Sequence, residues 1–244
     1  MDNFWSPAPS ITAQTNSKHL ILFDIDGTLV HASQLHVNAF EYTMKAVFGI
    51  STIMDWPNSQ GRTDPWIIQE LARKAGVSDA NISRNMILAL DTLAKYYESH
   101  QKEETGKILP GGTELLHEID ERKVLRGLVT GNVEAIAFMK LRHFDLHTGF
   151  ACGGFGDNHI ERSVLIRLAI KIATEKYHFE TNGKNIIYVA DTPFDIQAAH
   201  DAGVRAIAVK TSASQNLNFE SVKPELILKD LSEKKEFFEF LGLN

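Results

Sequence analysis

The run His19-Leu20-Ile21-Leu22-Phe23 is short and apolar, and it stops abruptly at Asp24-Ile25-Asp26-Gly27-Thr28, where acids and a glycine take over. A strand apolar at successive positions is buried on both faces, as in parallel sheets covered by helices. Acids and a glycine directly after it place a tight polar loop at the strand's carboxyl edge.

The same rhythm recurs beyond Leu109-Pro110-Gly111-Gly112. Apolar strands are predicted at Leu125 to Val129, Gly149 to Cys152, Ile186 to Ala190, Val204 to Val209 and Glu225 to Leu228. Helices are predicted between them at Glu114 to Glu121, Ile136 to Phe144, Ser163 to Tyr177 and Phe194 to Ala202. Alternation of this kind predicts an α/β fold, a Rossmann-like doubly wound parallel sheet with helices on both faces. In such sheets ligands sit beyond the carboxyl ends of the strands. Thr130-Gly131-Asn132 and Asp191-Thr192-Pro193-Phe194-Asp195 also follow apolar strands directly, so three distant segments are expected to converge.

Between the first strand and Pro110 the period is helical. Val37, Phe40, Met44, Val47 and Phe48 recur on one face and Gly49 ends that helix. Asp64 and Pro65 suit a helix start, and Leu88 to Tyr97 reads as a further helix. The segment from Val30 to Lys107 is therefore expected to be an all-helical insert. The expected organisation is a tail over 1–17, an α/β core over 18–29 and 108–244, and the insert over 30–107.

Asp24-Ile25-Asp26-Gly27-Thr28-Leu29 resembles the first motif of the haloacid dehalogenase superfamily, the aspartate-nucleophile phosphatases. Thr130-Gly131-Asn132 resembles its second motif, Arg162 stands where the third supplies a cation, and Ala190-Asp191-Thr192-Pro193-Phe194-Asp195 resembles the fourth. The insert resembles the helical (C1-type) cap of the phosphoglycolate-phosphatase-like branch, and Gly61-Arg62-Thr63-Asp64 resembles its cap loop.

The resemblance implies a magnesium-dependent phosphatase acting on a small phosphate monoester through an aspartyl-phosphate on Asp24. Asp26 is implied as general acid/base, a duty worth about 10²–10⁴-fold. Dehalogenases lack an acid at that position because a halide needs no proton, so Asp26 favours phosphate. Asp24, the Asp26 carbonyl and Asp191 are the implied Mg²⁺ ligands, with Asp195 in support, an all-oxygen set suited to that ion. Thr130, Gly131, Asn132 and Arg162 are the implied phosphate contacts, and Arg62 a cap contact to the substrate.

Simpler roles compete at several positions. Asn132 suits a helix cap, Asp191 and Asp195 a cap and first-turn acid, and Arg62 a structural place beside a helix start. Arg162 departs from the lysine more usual in the third motif, and a planar guanidinium is no equivalent of an ammonium. Arg167, Lys171 and Lys176 are its competitors, and Ala190 replaces a customary glycine. Two other activities stay open: a phosphomutase of β-phosphoglucomutase type, and a non-catalytic binding module on the same fold.

The formal net charge of −6 and the absence of a Lys/Arg block argue against nucleic acid as a partner. Charged residues interrupt every apolar stretch, which argues against a membrane span. A polar start with Pro7 and Pro9 reads as a tail, not a targeting signal. The single cysteine, Cys152, fits a core position in a reducing compartment, so a cytoplasmic protein with a small phosphorylated metabolite as its partner is expected.

Overall fold

The structure, a computed structural model, describes residues 17–31, 33–54, 59–211 and 217–243. The tail expected over 1–17 lies outside them except for Ser17. That residue is already docked, its hydroxyl accepting the Leu125 N–H at 3.0 Å.

Six parallel strands form the central sheet: β1 (Leu20–Phe23), β4 (Leu125–Val129), β5 (Cys152–Gly154), β6 (Ile186–Ala190), β7 (Arg205–Val209) and β8 (Leu226–Leu228). Their spatial order is β5-β4-β1-β6-β7-β8. The chain runs outward on one side of β1 and then returns to its other side, so β1 and β6 flank the point where strand order reverses. Side chains alternate across this sheet. Ile21 and Phe23 join one apolar cluster with Leu128, Val189 and Ile207, while Leu20 and Leu22 join the other with Val129, Tyr188 and Ala208. Burial on both faces is why these strands carry continuous apolar runs.

Helices α4 (Gly112–Glu121), α5 (Glu134–His143), α6 (Arg162–Tyr177), α7 (Pro193–Asp201) and α8 (Lys234–Leu241) complete the core. β5 begins where the expected strand ended. Gly149 has φ +86° in a turn against Arg126, and Gly153 and Gly154 continue the ladder opposite Leu128 and Val129. A side chain at Gly154 would strike the backbone of Leu165 in α6, so strand and helix approach closely there.

Helices α1 (Gln34–Phe48), α2 (Asp64–Lys74) and α3 (Asp79–Ser99) surround a third apolar cluster, which Val133 and Ile136 of the core also enter. The expectation of an entirely helical insert is corrected at its ends. Val30–His31 (β2) and Lys107–Ile108 (β3) pair antiparallel, so the outgoing and returning chains form a two-stranded stem. Helix α3 is also longer than its apolar pattern implied. Its first half shows solvent such residues as Ile87, 84% exposed, and its start is set by Ser78, whose hydroxyl accepts the Asn81 N–H. Among the described residues no helix is long and apolar enough to cross a membrane.

Candidate active site

Adjacent strands β4, β1 and β6 end side by side, and their next residues are Thr130, Asp24 and Asp191. Asp24 continues the ladder by one bond, its N–H donating to the Val189 carbonyl at 3.0 Å. The chain then reverses: the N–H groups of Leu29 and Val30 both return to the Ile25 carbonyl, at 2.9 and 3.0 Å. Gly27 makes the reversal with φ +80°, and a side chain there would fall on the Asp191 carboxylate. The first and fourth acidic segments are thus in contact through a position only glycine fits.

Asp24, Asp191 and Asp195 are buried, and each offers an oxygen within 4.8 Å of the others. Burial pushes the Asp24 carboxyl up to about 7; Arg162 opposes this, and Asp195 and Asp26 add to it. Burial also raises Asp191 well above the usual carboxylate range, with Asp24 and Asp195 reinforcing the shift. Three crowded carboxylates, with Asp24 Oδ1 buried and accepting no hydrogen bond beyond its ionic contact with Arg162, make an all-oxygen site that could hold a hard divalent cation. The donor set fits such an ion.

Arg162 is the first residue of α6 and only 8% exposed. Its Nη1 lies 3.2 Å from Asp24 Oδ1 and 2.9 Å from Asp195 Oδ1, and donates to the Tyr188 hydroxyl at 2.9 Å. A cation at a helix start opposes the dipole, and two buried carboxylates outweigh that here. Its competitors point elsewhere: Arg167 bonds Ser163 and the Asp201 carbonyl, and Lys171 pairs with Glu175. Tyr188 belongs to the site although no motif marks it. Its hydroxyl shares one proton between the Val129 carbonyl at 3.0 Å and Asp195 at 3.2 Å. The sequence signal was a single polar atom in the strand Ile-Ile-Tyr-Val-Ala. Asp195, expected near the cation, spends one oxygen on Arg162 and Tyr188 and the other on the Thr192 hydroxyl.

Asp26 has a different surrounding. Its Oδ2 accepts from Lys140 Nζ at 2.6 Å and from Asn132 Nδ2 at 2.7 Å. Burial pushes this carboxyl up, but Lys140, His36 and Asn132 outweigh that and hold it below the usual range. Lys140, 2% exposed, also escaped sequence reading, because with Arg142 and His143 it resembles the ordinary basic last turn of a helix.

Asn132 does not cap α5. Val133 holds the cap position, and the Asn132 amide turns inward to Asp26 and to the Thr130 hydroxyl, 2.7 Å away. Asp64 does not cap its own helix either. Thr63 precedes α2, and the Asp64 carboxylate accepts the Val133 N–H at 2.8 Å. The insert therefore caps a core helix. At the same contact the Asp64 N–H donates to the Gly131 carbonyl at 2.8 Å, and a side chain at Gly131 would strike the Arg62 carbonyl.

These groups enclose a cavity of about 90 Å³, bordered by Asp24, Asp26, Asp191 and Thr130 from the core and by His36 and Arg62 from the insert. The Arg62 guanidinium lies 4.5 Å over the Trp66 ring and 3.8 Å over the Phe194 ring, which ties the insert to the core helix α7.

Residues 21–209 match the family model described as "Haloacid dehalogenase-like hydrolase". A protein named "Putative pyrophosphatase PpaX", from Caldanaerobacter subterraneus, is 25% identical over 215 residues, covering 86% of this chain and 90% of that protein. The fold is shared with CbbY from Rhodobacter sphaeroides, solved with xylulose-(1,5)bisphosphate: TM-score 0.68, 18% identity, 88% of this chain and 95% of that one. It is shared as well with a structure described as a predicted phosphoglycolate phosphatase from Haemophilus somnus: TM-score 0.66, 17% identity, 91% and 99% covered. With the family model spanning most of the chain, this protein belongs to the haloacid dehalogenase-like hydrolases.

Proposed function

We propose that this protein is a magnesium-dependent phosphatase that cleaves a small phosphate monoester through an aspartyl-phosphate on Asp24. One observation carries the reading: Asp24, Asp26 and Asp191 border the same small cavity at the strand ends, with Arg162 beside Asp24 and one oxygen of Asp26 pinned by Lys140 and Asn132.

The Asp24 carboxylate attacks phosphorus in line and the P–O bond to the alcohol breaks; Asp26, held ionised in the free site, takes up a proton from solvent as the phosphoryl dianion enters and gives it to the leaving oxygen. Asp26 then takes a proton from water, which attacks the acyl phosphate, releases inorganic phosphate and restores Asp24. Asp24, the Asp26 carbonyl and Asp191, with Asp195 in support, would hold magnesium, which would supply charge neutralisation for the phosphoryl oxygens. Arg162 adds positive charge beside the nucleophile. The Thr130 hydroxyl already accepts from Asn132, so its own proton is directed to a phosphate oxygen, with the Gly131 and Asn132 backbone beside it.

Residues 30–107 are the cap in this reading, and their contacts with Gly131 and Val133 favour exclusion of water from the cavity. The size of that cavity favours a small phosphorylated metabolite such as phosphoglycolate or a sugar phosphate. A cytoplasmic setting belongs to the same proposal and is supported by the buried, unpaired Cys152.

The test is phosphate release from a panel of small monoesters and pyrophosphate, with magnesium or chelator, for wild type and Asp24→Asn. Magnesium-dependent release that Asp24→Asn abolishes is the expected result. Normal turnover by Asp24→Asn overturns it, and isomerised sugar phosphate without release favours a mutase.

A further inference from the structure

Lys140 places a buried ammonium at the junction of core and insert. A charge so deeply buried persists only with its donors satisfied. An ammonium has three N–H donors, and each meets an acceptor: Asp26 Oδ2 at 2.6 Å, Asn132 Oδ1 at 2.8 Å and His36 Nδ1 at 3.1 Å. His36 Nδ1 is then an acceptor, so the ring proton sits on Nε2, which faces Asp64 Oδ1 at 3.4 Å. Asp64 in turn accepts the N–H of Val133, at the start of the helix that carries Lys140. The contacts close a ring through α5, α1 of the insert, α2 of the insert and back to α5.

Two donors occupy Asp26 Oδ2, while Asp26 Oδ1 is buried without a partner in a residue that borders the cavity. We propose that Lys140 is the positioning residue for proton transfer: with Asn132 it pins Oδ2 so that Oδ1 is the oxygen presented to the leaving group, and through His36 it makes that posture depend on the seating of the insert. This rests on the reading of Asp26 as the acid/base. Lys140 acts through Asp26 and does not touch substrate.

A residue that only holds the fold together affects all esters alike. One that aims a proton affects esters whose leaving alcohol needs it. The experiment therefore compares kcat/KM for p-nitrophenyl phosphate, whose phenolate leaves unprotonated, with that for the alkyl monophosphate wild type hydrolyses fastest, in the full chain with magnesium. Asp26→Asn comes first and is expected to lose far more activity on the alkyl ester. Lys140→Met is then expected to lower the alkyl value by about tenfold to a hundredfold, the scale of a misplaced catalytic group, and the aryl value by no more than about threefold. His36→Leu, which removes only the insert's link, is expected to shift the ratio the same way by less.

Equal losses on both esters in Lys140→Met, or no loss on either, overturn the inference while leaving the acid/base reading intact. Absence of discrimination in Asp26→Asn overturns that reading itself, and the inference with it. Circular dichroism checks folding. Should Lys140→Met not fold, Lys140→Gln, which keeps N–H donors without the charge, serves in the same comparison.

Discussion

Arg162 donates to the Tyr188 hydroxyl at 2.9 Å. Through that contact a guanidinium is seated where the resemblance leads one to expect lysine, because the tyrosine gives Nη1 an acceptor besides Asp24 and Asp195. Tyr188→Phe keeps the ring and deletes the hydroxyl. It is expected to cost about 1–2 kcal/mol in urea unfolding, since it removes a buried bonded group. Arg162→Lys is expected to lower kcat/KM about tenfold to a hundredfold, and in combination with Tyr188→Phe to lose less than the product of the single losses, as coupled neighbours do. Additive losses would show that the tyrosine does not seat the arginine.

Metal-free stability should fall as pH rises from about 4 to about 7. The folded Asp24 carboxyl is raised from 3.8 to about 7, so between those values the native state holds a proton the unfolded chain has lost. Asp191 is shifted the same way. Asp26 is shifted down, so its contribution disappears only at pH below the ordinary carboxylate value and does not mask the effect. With chelator present, Tm at pH 8 should lie below that at pH 5.5. Magnesium should raise it more at pH 8, and Asp24→Asn should flatten the slope. A chelated protein more stable at pH 8 would contradict the crowding of these carboxylates.

Gly27→Ala should weaken the cation site without removing any ligand. Its Cβ would collide with the Asp191 carboxylate, and φ +80° strains any side chain. The magnesium concentration for half-maximal phosphate release is expected to rise at least about tenfold, equivalent to about 1.4 kcal/mol. An unchanged magnesium dependence would mean Asp191 is not held where the cation acts.

Phe194→Ala removes one of the two rings around the Arg62 guanidinium. A cation–π contact is worth about 0.5–2 kcal/mol, so KM for the best ester should rise about twofold to thirtyfold, with kcat changing less, as the insert is held less firmly. A fall in kcat at constant KM would instead assign the stack to the chemical step.

Legibility in the sequence followed the range of the interactions concerned. Asp24-Ile25-Asp26-Gly27 announces its loop because strand burial, turn geometry and acid placement all act within a few residues. The bounds of β5 are not legible from Gly149, because whether a glycine turns or extends depends on what packs beside it, here Arg126 on one side and the backbone of Leu165 near Gly154. Asn132 and Asp64 have cap-forming side chains, and local chemistry favours both as caps of their own helices. Tertiary partners, Asp26 for one and the Val133 N–H for the other, drew those side chains across the structure instead.

By itself the sequence determined the parallel α/β core, the helical insert and the convergence of three polar segments at the strand ends. Those follow from hydrophobic periodicity and turn residues, which are local in the chain. Only the tertiary structure decided that Lys140, Tyr188 and His36 belong beside Asp26 and Arg162. Each is a polar group carried on an otherwise ordinary helix or strand, and burial gives it a partner more than twenty residues away in the chain.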